Sequence, residues 1–570
     1  MDLGIRDSLL FSVLFDGAAL ATIVATAAFI PTISSKYFKF GERALRRLAQ
    51  RPSLAVSVSG VLAIILAVGM SLIIGIPEPK IHDEFSYLLA ADTFEQGRLA
   101  NPTHPLWVHF ESMHIIQQPS YASKYPPAQG LVLGLGQILG GHPIVGVWVS
   151  SALASAAICW MLFAWMPGYW AFLGGILAAL HPTMLDWSQN YWGGSVAALG
   201  GALLLGGFRR LFSMPRARDA CLMALGILIL ANSRPYEGLL FSIPPLVILM
   251  VWMVRSSRPA VPVLLKQLLM PASAVVIAGA IATGFYNARI TGNPFQMPYQ
   301  VHEATYAVSP TFIWQERKAE SPRYNHPELA RFHHRTPSID SLSDLVSVFA
   351  LKIAKLIKGY FRPLVLALPL LAIPWILKRD WWMRFALLQG VVFLTGLFAG
   401  LSSKTHYAAP AMGLVFLFVL QGMRHMRLHQ WHSRPSGLFL VRASVLLWLA
   451  SLFTTYVDLS SLYKRANFAH WRAQIRDQLE QDGRRHLVIV RYKPDHNTQQ
   501  EWVYNKADID AAKIVWARDM NSNHRLLEHF ADRQVWLLEA DARPPTLVPY
   551  GHTGDQEVHD EAFSDHAGLQ

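Results

Sequence analysis

Long apolar runs, separated by short polar segments, make up most of the chain before residue 458. A membrane-spanning helix needs roughly 20 mostly apolar residues, so we expect about twelve spans from these runs. They cover residues 8–30, 53–76, 143–165, 168–186, 193–212, 219–232, 236–254, 267–286, 362–378, 384–401, 407–423 and 437–457. The pattern therefore predicts an all-α polytopic membrane domain over residues 1–457.

The pattern changes at Asp458, after which polar and charged residues dominate. Residues 464–483 have helical spacing and end at Gly483. Short apolar runs typical of buried strands follow at 486–492, 512–518 and 534–540. These elements predict a small α/β domain over residues 458–570, which we interpret as a module for acceptor recognition or partner binding.

Basic residues predict the orientation in the membrane. Lys and Arg cluster at 36–51, 209–218, 255–266, 378–384 and 424–434, and such clusters favour the cytoplasmic side. Placing them there gives an alternating topology in which the first run is an uncleaved anchor. The loops 77–126 and 290–345, the turns at 186–194, 232–238 and 402–410, and the C-terminal domain then face outside. Residues 342–360 predict an amphipathic helix along the membrane surface.

Composition agrees with this arrangement and narrows the function. Hydrophobic residues make up 52% of the chain and charged residues only 15%, which excludes a soluble multidomain enzyme. The net charge of +12 comes from the short clusters between apolar runs, so no nucleic-acid partner is predicted. Cys159 and Cys221 are the only cysteines, which excludes a disulfide framework and a cysteine-based metal site.

The outer loop 77–126 carries the residues best suited to chemistry. Asp83 and Glu84 follow the second span closely, and a carboxylate at the bilayer surface can act as a general base. The same pair suits the first turn of a helix, where the dipole favours acidic residues. Lys124 and Arg234 lie at the outer ends of other spans and are suited to hold a phosphate. A lysine extending towards lipid headgroups is the commoner explanation for one such cation alone.

The same face carries candidate metal ligands and candidate substrate contacts. His82, His104, His109 and His114 could form a zinc site, but steps of five place His104, His109 and His114 about 140° apart on a helix, so these three would not share a face. We predict no resident metal, with a divalent cation at Asp83 and Glu84 as the better metal hypothesis. The aromatic residues could stack on a substrate or form an ordinary interfacial belt. The candidate substrate contacts are Lys124, Tyr125, Arg234, Tyr87, His82, Tyr191, Trp192, Glu237, His406 and Tyr407.

The order of these motifs resembles the C-type polytopic membrane glycosyltransferases, particularly the protein O-mannosyltransferase and aminoarabinose-transferase branch. The resemblance rests on HDEFSY at 82–87, SKYPPAQG at 123–130, NSRPYEG at 232–238 and HYAAP at 406–410. It covers roughly residues 53–458. An additional first span, an extra Tyr125 inside the usual Lys-Pro-Pro turn and an unmatched C-terminal domain are departures from the family pattern.

The resemblance implies transfer of a sugar from a polyprenyl-phosphate donor to a glycan, lipid or protein acceptor. It implies inversion at the anomeric carbon and a site on the outer face of a membrane, here the periplasmic face of a bacterial inner membrane. Asp83 would be the base, Glu84 would assist it, and Lys124 would contact the donor phosphate. Arg234 stands where many relatives have a lysine, so a phosphate role for it is an extension of the pattern.

Three other functions stay open. A transporter or flippase for a lipid or solute usually has ionisable residues near the membrane midplane, whereas the candidates here lie beyond the span ends, Asp16 excepted. A ligase joining lipid-linked glycans would share the donor and the outward site. A noncatalytic assembly protein would use the C-terminal domain to bind partners.

Overall fold

The computed structural model describes residues 17–18, 21–27, 29, 35–255, 258–334, 341–361, 364–402, 404–464 and 467–551. Most of these residues are helical. The α-helices from Ser35 onward are α1 (Ser35–Ala49), α2 (Pro52–Ile74), α3 (His82–Glu95), α4 (Pro127–Gly140), α5 (Pro143–Trp165), α6 (Gly168–Ala179), α7 (Pro182–Trp187), α8 (Gly194–Ser213), α9 (Ala217–Ala231), α10 (Pro235–Val254), α11 (Val261–Leu264), α12 (Met270–Thr291), α13 (Pro298–Tyr306), α14 (Pro327–His334), α15 (Leu342–Tyr360), α16 (Ile373–Arg379), α17 (Trp381–Ala399), α18 (Met412–Met426), α19 (Ser436–Lys464), α20 (Phe468–Gln481) and α21 (Asn523–His529).

Eight helical segments in the described residues are long and apolar enough to cross a membrane. They are Pro52–Ile74, Pro143–Trp165, Gly194–Ser213, Pro235–Val254, Val261–Thr291, Trp381–Ala399, Thr405–Met426 and Ser436–Val457. Each matches one of the twelve predicted runs, and by length and composition the chain is an integral membrane protein.

The other four predicted runs are not single helices of spanning length within the described residues. The run 168–186 divides into α6 and α7 before Pro182, and the run 219–232 is the 15-residue helix α9. The run 362–378 begins as a 3₁₀ helix, Leu364–Ala372, and continues as α16. The run 8–30 lies largely outside the described residues, so a total of twelve spans stays a prediction.

Proline and glycine determine how the helices near the site begin and pack. Proline occupies the first turn of α2, α4, α5 and α10. The N–H groups of a first turn have no acceptor within the helix, so the missing N–H of proline costs no hydrogen bond there. Helices α4 and α5 contact each other at glycines, because a Cβ atom added at Gly146 would lie 2.0 Å from the Val132 carbonyl oxygen. Small residues allow such close backbone approach between membrane helices.

The C-terminal segment forms the predicted α/β arrangement. Its strands are β3 (His486–Arg491), β4 (Ile514–Arg518), β5 (Gln534–Glu539) and β6 (Thr546–Pro549), after a small hairpin of β1 (Ile115–Ile116) and β2 (Ala122–Ser123) in the outer loop. The sheet order is β4-β3-β5-β6, with β6 antiparallel to β5 and the other pairs parallel. The edge strand β6 was not predicted, because it is short and contains a proline.

The C-terminal domain shares a hydrophobic core with residues 77–126, the loop predicted to lie on the outer side. Phe85, Leu106 and Phe110 from the loop belong to the same buried cluster as the strands of the sheet. The ring of Phe85 stacks on Tyr504, with centroids 4.3 Å apart and planes inclined by 5°. Aromatic stacking of this kind adds to the free energy gained by burial. The domain therefore packs directly on the loop that carries the candidate site.

Helix α15 is the predicted amphipathic helix. Its apolar residues Leu342, Val346 and Leu351 are exposed, and contact of this helix with lipid stays a prediction. Lys352 differs from the expectation, because its side chain is buried and its Nζ donates hydrogen bonds to the carbonyl oxygens of Phe398, at 3.2 Å, and Gly400. These bonds attach α15 to the end of α17.

Candidate functional site

The Asp83 carboxylate accepts hydrogen bonds from two neighbours. Asp83 lies in the first turn of α3, as the sequence indicated, although Ile81 is the residue that precedes the helix. Its Oδ1 accepts a hydrogen bond of 2.6 Å from the Tyr125 hydroxyl and lies 2.7 Å from Nδ1 of His114. The side chain is only 17% exposed. A carboxylate held in this way has a defined orientation at the start of the helix.

These neighbours decide the charge of Asp83. Burial by itself would raise the pKa of Asp83, but the electrostatic interaction with His114 and the hydrogen bonds from His114 and Tyr125 outweigh it. The pKa of Asp83 is therefore well below its usual range, because hydrogen bonds donated to a carboxylate favour the ionised form. Asp83 is negatively charged at neutral pH.

The Glu84 carboxylate contacts a different part of the protein. Its oxygens accept hydrogen bonds from the backbone N–H groups of Lys80, at 2.9 Å, and Tyr191, at 3.2 Å. Burial raises the pKa of Glu84. Glu84 therefore connects the start of α3 to the turn at 186–194, while Asp83 contacts His114 and Tyr125. Assistance by Glu84 and a cation shared by the two carboxylates stay predictions.

Lys124 is a buried cation that lies beside aromatic rings. Its Nζ lies 5.4 Å from the ring centre of Tyr125 and 5.5 Å from that of Tyr299. Within the described residues, no carboxylate lies within 4.0 Å of it. Desolvation lowers the pKa of Lys124, and the charges of Glu303 and Asp83 oppose that shift. Aromatic faces stabilise the ammonium only partly.

Arg234 is a second cation with aromatic contacts. Its guanidinium lies 4.7 Å from the ring centre of Tyr407, and no acidic partner lies within ion-pair distance in the described part of the chain. Arg234 and Lys124 belong to adjoining segments, because the Ala128 N–H donates a 2.9 Å hydrogen bond to the Asn232 carbonyl. The motifs around Lys124 and Arg234 are thus joined through the backbone.

Tyr125, the residue inserted in the Lys-Pro-Pro turn, contacts several parts of the site. Its hydroxyl donates to Asp83, and its ring stacks on Tyr87 with centroids 4.5 Å apart. The Lys124 ammonium lies near the same ring. Its backbone carbonyl accepts a 3.2 Å hydrogen bond from the Tyr286 hydroxyl. The departure from the family motif therefore supplies a side chain that links the carboxylate to the cation.

Most of the other predicted substrate contacts lie around these groups. The turn at 402–410 meets the turn at 186–194, where the rings of His406 and Trp192 are 4.9 Å apart. His406 is also close enough to Asp83 for their charges to interact. Glu237 lies in the first turn of α10, three residues after Arg234. The Tyr191 hydroxyl donates to the Pro77 carbonyl at 2.9 Å, so that side chain supports the loop.

His82 is directed towards the C-terminal domain. Its Nδ1 lies 2.8 Å from the Tyr504 hydroxyl. Burial, together with the charge of His114, lowers the pKa of His82 to about 3, so the ring is neutral at neutral pH. A neutral imidazole bonded to the domain connects the start of α3 to the sheet. The substrate contact predicted for His82 stays a prediction.

Several residues at the site were not selected from the sequence as site residues. His114 contacts Asp83, and Tyr299 and His302 come from α13 in the predicted outer loop 290–345. His302 is buried, and neither of its ring nitrogens has a hydrogen-bond partner among the described residues. It lines a cavity of about 630 Å³ together with Trp107 and ten other residues. These segments lie far apart in the sequence, so no motif spacing indicates that they meet.

One group of side chains in the described residues has metal-ligand spacing, namely His104, Asp510 and His529. The Leu106 N–H donates to Nδ1 of His104 at 2.9 Å, so that nitrogen carries no proton. The proton of the neutral ring is then on Nε2, which lies 3.3 Å from Asp510. This tautomer does not fit a metal ligand at Nε2. The contact instead attaches the outer loop to the C-terminal domain.

No protein-family model matches the chain, and no curated protein matches its sequence. Among solved structures, the oligosaccharyltransferase from Archaeoglobus fulgidus in complex with Zn and sulfate is 11% identical with a TM-score of 0.45, covering 79% of this chain and 61% of its own. ArnT from Cupriavidus metallidurans bound to undecaprenyl phosphate is 11% identical with a TM-score of 0.47, covering 85% and 92%. The chain thus spans about three fifths of the oligosaccharyltransferase. Both are C-type polytopic membrane glycosyltransferases, the group that the sequence motifs resemble.

Proposed function

We propose that this protein is a membrane glycosyltransferase. It transfers a sugar from a polyprenyl-phosphate donor to an acceptor hydroxyl at the outer membrane face, with inversion at the anomeric carbon. Support comes from the ionised Asp83 carboxylate, whose charge acts on Lys124, and from the absence of any carboxylate within 4.0 Å of Lys124 or Arg234 in the described residues. Burying an unpaired cation costs free energy, and the phosphate of a lipid donor would supply the missing negative charge.

The reaction requires two bonds to form, one to the anomeric carbon and one between the base and the proton, and two bonds to break. The acceptor oxygen bonds to the anomeric carbon, the bond between that carbon and the phosphate oxygen breaks, and the hydroxyl proton leaves to a base. The leaving polyprenyl phosphate gains one negative charge. Lys124 and Arg234 stabilise that charge in a partly buried site, where electrostatic interactions are stronger than in water. Removal of the proton depends on Asp83.

The remaining residues of the site shape and bind the donor. Tyr87 and Tyr125 form a stacked pair beside Lys124, and aromatic surfaces of this kind suit sugar rings or the polyprenyl chain. The rings of Trp192 and His406 contact each other where the turn at 186–194 meets the turn at 402–410. In this proposal Tyr191, Glu237, Tyr407 and His82 complete the binding site. The acceptor is a glycan, a lipid or a protein.

A strain that lacks the gene provides the first test. We expect the lipid-linked sugar used by the protein to accumulate there, as detected by mass spectrometry of extracted polyprenyl phosphates. Wild-type protein should restore the lipid pool, whereas Asp83→Asn should not. Asp495→Asn is the matched control, because Asp495 is exposed in the C-terminal domain and should complement fully. An unchanged lipid pool in the deletion strain would contradict the proposal and favour a transporter or an assembly protein.

A further inference from the structure

The hydrogen bond between Asp83 and His114 fixes the position of a proton. Oδ1 of Asp83 and Nδ1 of His114 are 2.7 Å apart. An ionised carboxylate only accepts hydrogen bonds, so the neutral imidazole must donate through an Nδ1–H group. The other ring nitrogen, Nε2, then carries a lone pair and no proton. His114 therefore presents a proton acceptor beside Asp83.

The His114 ring is held in place by its surroundings. Its backbone has φ of 64°, in the left-handed region that non-glycine residues adopt rarely. The His114 carbonyl accepts hydrogen bonds from the Ser86 hydroxyl, at 2.7 Å, and from the Lys124 N–H, at 3.3 Å. The ring packs against Phe332, with centroids 5.6 Å apart. In the described residues, Nε2 makes no hydrogen bond, so this nitrogen is free for a substrate.

The pKa shifts of Asp83 and His114 favour His114 as the residue that accepts the proton. A general base works best when its pKa is near the working pH, and the low pKa of Asp83 makes its carboxylate a weak base. Burial, helped by the charge of Lys124, lowers the pKa of His114, so its ring is neutral at neutral pH. The titratable and charged groups facing the ring are Asp83, Lys124, Tyr125, His82, His302, His333 and Lys404.

We propose that His114 is a catalytic residue and that its Nε2 takes the proton from the acceptor hydroxyl. The O–H bond breaks as the acceptor oxygen bonds to the anomeric carbon, and the electron pair of the broken sugar–phosphate bond stays on the phosphate. The resulting imidazolium is paired with Asp83, which also fixes the tautomer of the ring, an arrangement used by histidine and aspartate in hydrolases. This inference rests on the proposed function and names the atom that performs one of its steps.

The decisive variant is His114→Asn. The asparagine amide can still donate a hydrogen bond to Asp83 in place of Nδ1, but it provides no base. We expect kcat to fall by about 10² to 10⁴, with little change in KM for the lipid-linked sugar that accumulates in the deletion strain. The matched control is His470→Asn, because His470 is exposed on α20. The wild-type rate should fall as the pH drops through the lowered pKa of His114, and this acid limb should disappear in His114→Asn.

A second variant keeps the test decisive if His114→Asn folds poorly. His114→Ala removes the ring, and added imidazole should restore part of its activity in a saturable manner. A purely structural role would give no such rescue. If His114→Asn keeps more than about half of the wild-type kcat with an unchanged acid limb, Asp83 takes the proton directly and the inference is wrong. A wild-type protein that transfers no sugar would instead contradict the proposed function itself.

Discussion

Replacing Lys124 with methionine should weaken binding of a polyprenyl phosphate without destabilising the free protein. Methionine keeps an apolar side chain of similar length and removes only the ammonium. In the free protein, the change removes two cation–π contacts, with Tyr125 and Tyr299, worth about 0.5–1 kcal/mol each. It also removes the cost of burying an unpaired cation, which amounts to several kcal/mol. The melting temperature of the ligand-free variant should therefore equal or exceed that of the wild type.

The complex with the lipid phosphate should respond in the opposite direction. A hydrogen bond to a charged group contributes about 1.5–3 kcal/mol, and each 1.4 kcal/mol changes an affinity about tenfold. The Kd of Lys124→Met for undecaprenyl phosphate should therefore rise about 10- to 150-fold. Titration in detergent, followed by ligand-induced thermal shift and by native mass spectrometry, measures both quantities on the same samples.

Lys352→Met is the matched control for this prediction. Lys352 is also buried, but its Nζ donates hydrogen bonds to the carbonyl oxygens of Phe398 and Gly400. Its removal leaves those acceptors unsatisfied, so we expect a lower melting temperature and an unchanged Kd. If Lys124→Met binds undecaprenyl phosphate like the wild type, or loses stability as Lys352→Met does, Lys124 is a structural residue and the phosphate assignment is wrong.

Two further predictions concern the parts of the fold that support the site. Arg518→Met leaves the Glu501 carboxylate buried without its cation. The free energy of unfolding of the C-terminal domain, measured by urea titration, should therefore fall by about 3–5 kcal/mol. An unchanged unfolding transition would show that the ion pair contributes little to stability. Gly146→Ala places a Cβ atom 2.0 Å from the Val132 carbonyl oxygen and should lower the melting temperature, with an overpacking cost of about 1–3 kcal/mol. Gly69→Ala, which meets no atom within 4 Å, should leave it unchanged or higher, and equal behaviour of the two would contradict the close contact.

The apolar pattern predicted the long helices better than the total number of spans. Eight runs form helices of spanning length, because about 20 consecutive apolar residues admit few other structures in a membrane. The run 168–186 was predicted as one span, and the break before Pro182 that divides it into α6 and α7 leaves little signal because the residues on both sides are apolar. Strands β3, β4 and β5 were predicted from their buried runs, whereas β6 lacked that signal.

At the site, the sequence predicted the residues that lie in local motifs, but not those that reach the site from distant segments through tertiary contacts. Asp83 and Lys124 were selected because their chemistry and position beside spans are visible in the sequence. A helical spacing argument excluded His114 as a metal ligand, but its own backbone has φ of 64° and it directly precedes β1, so helical geometry does not apply. His302 and Tyr299 reach the site only because α13 packs beside the outer loop. Such tertiary contacts leave no local pattern.

The central claim is that sugar transfer from a polyprenyl-phosphate donor depends on Asp83. The most direct measurement uses purified protein in detergent with the lipid-linked sugar from the deletion strain and a cell-envelope extract as the source of acceptor. Release of polyprenyl phosphate and formation of the glycosylated product are followed together by mass spectrometry. We predict that the wild type forms both, and that Asp83→Asn binds the donor but forms neither. Transfer by Asp83→Asn at the wild-type rate would contradict the account.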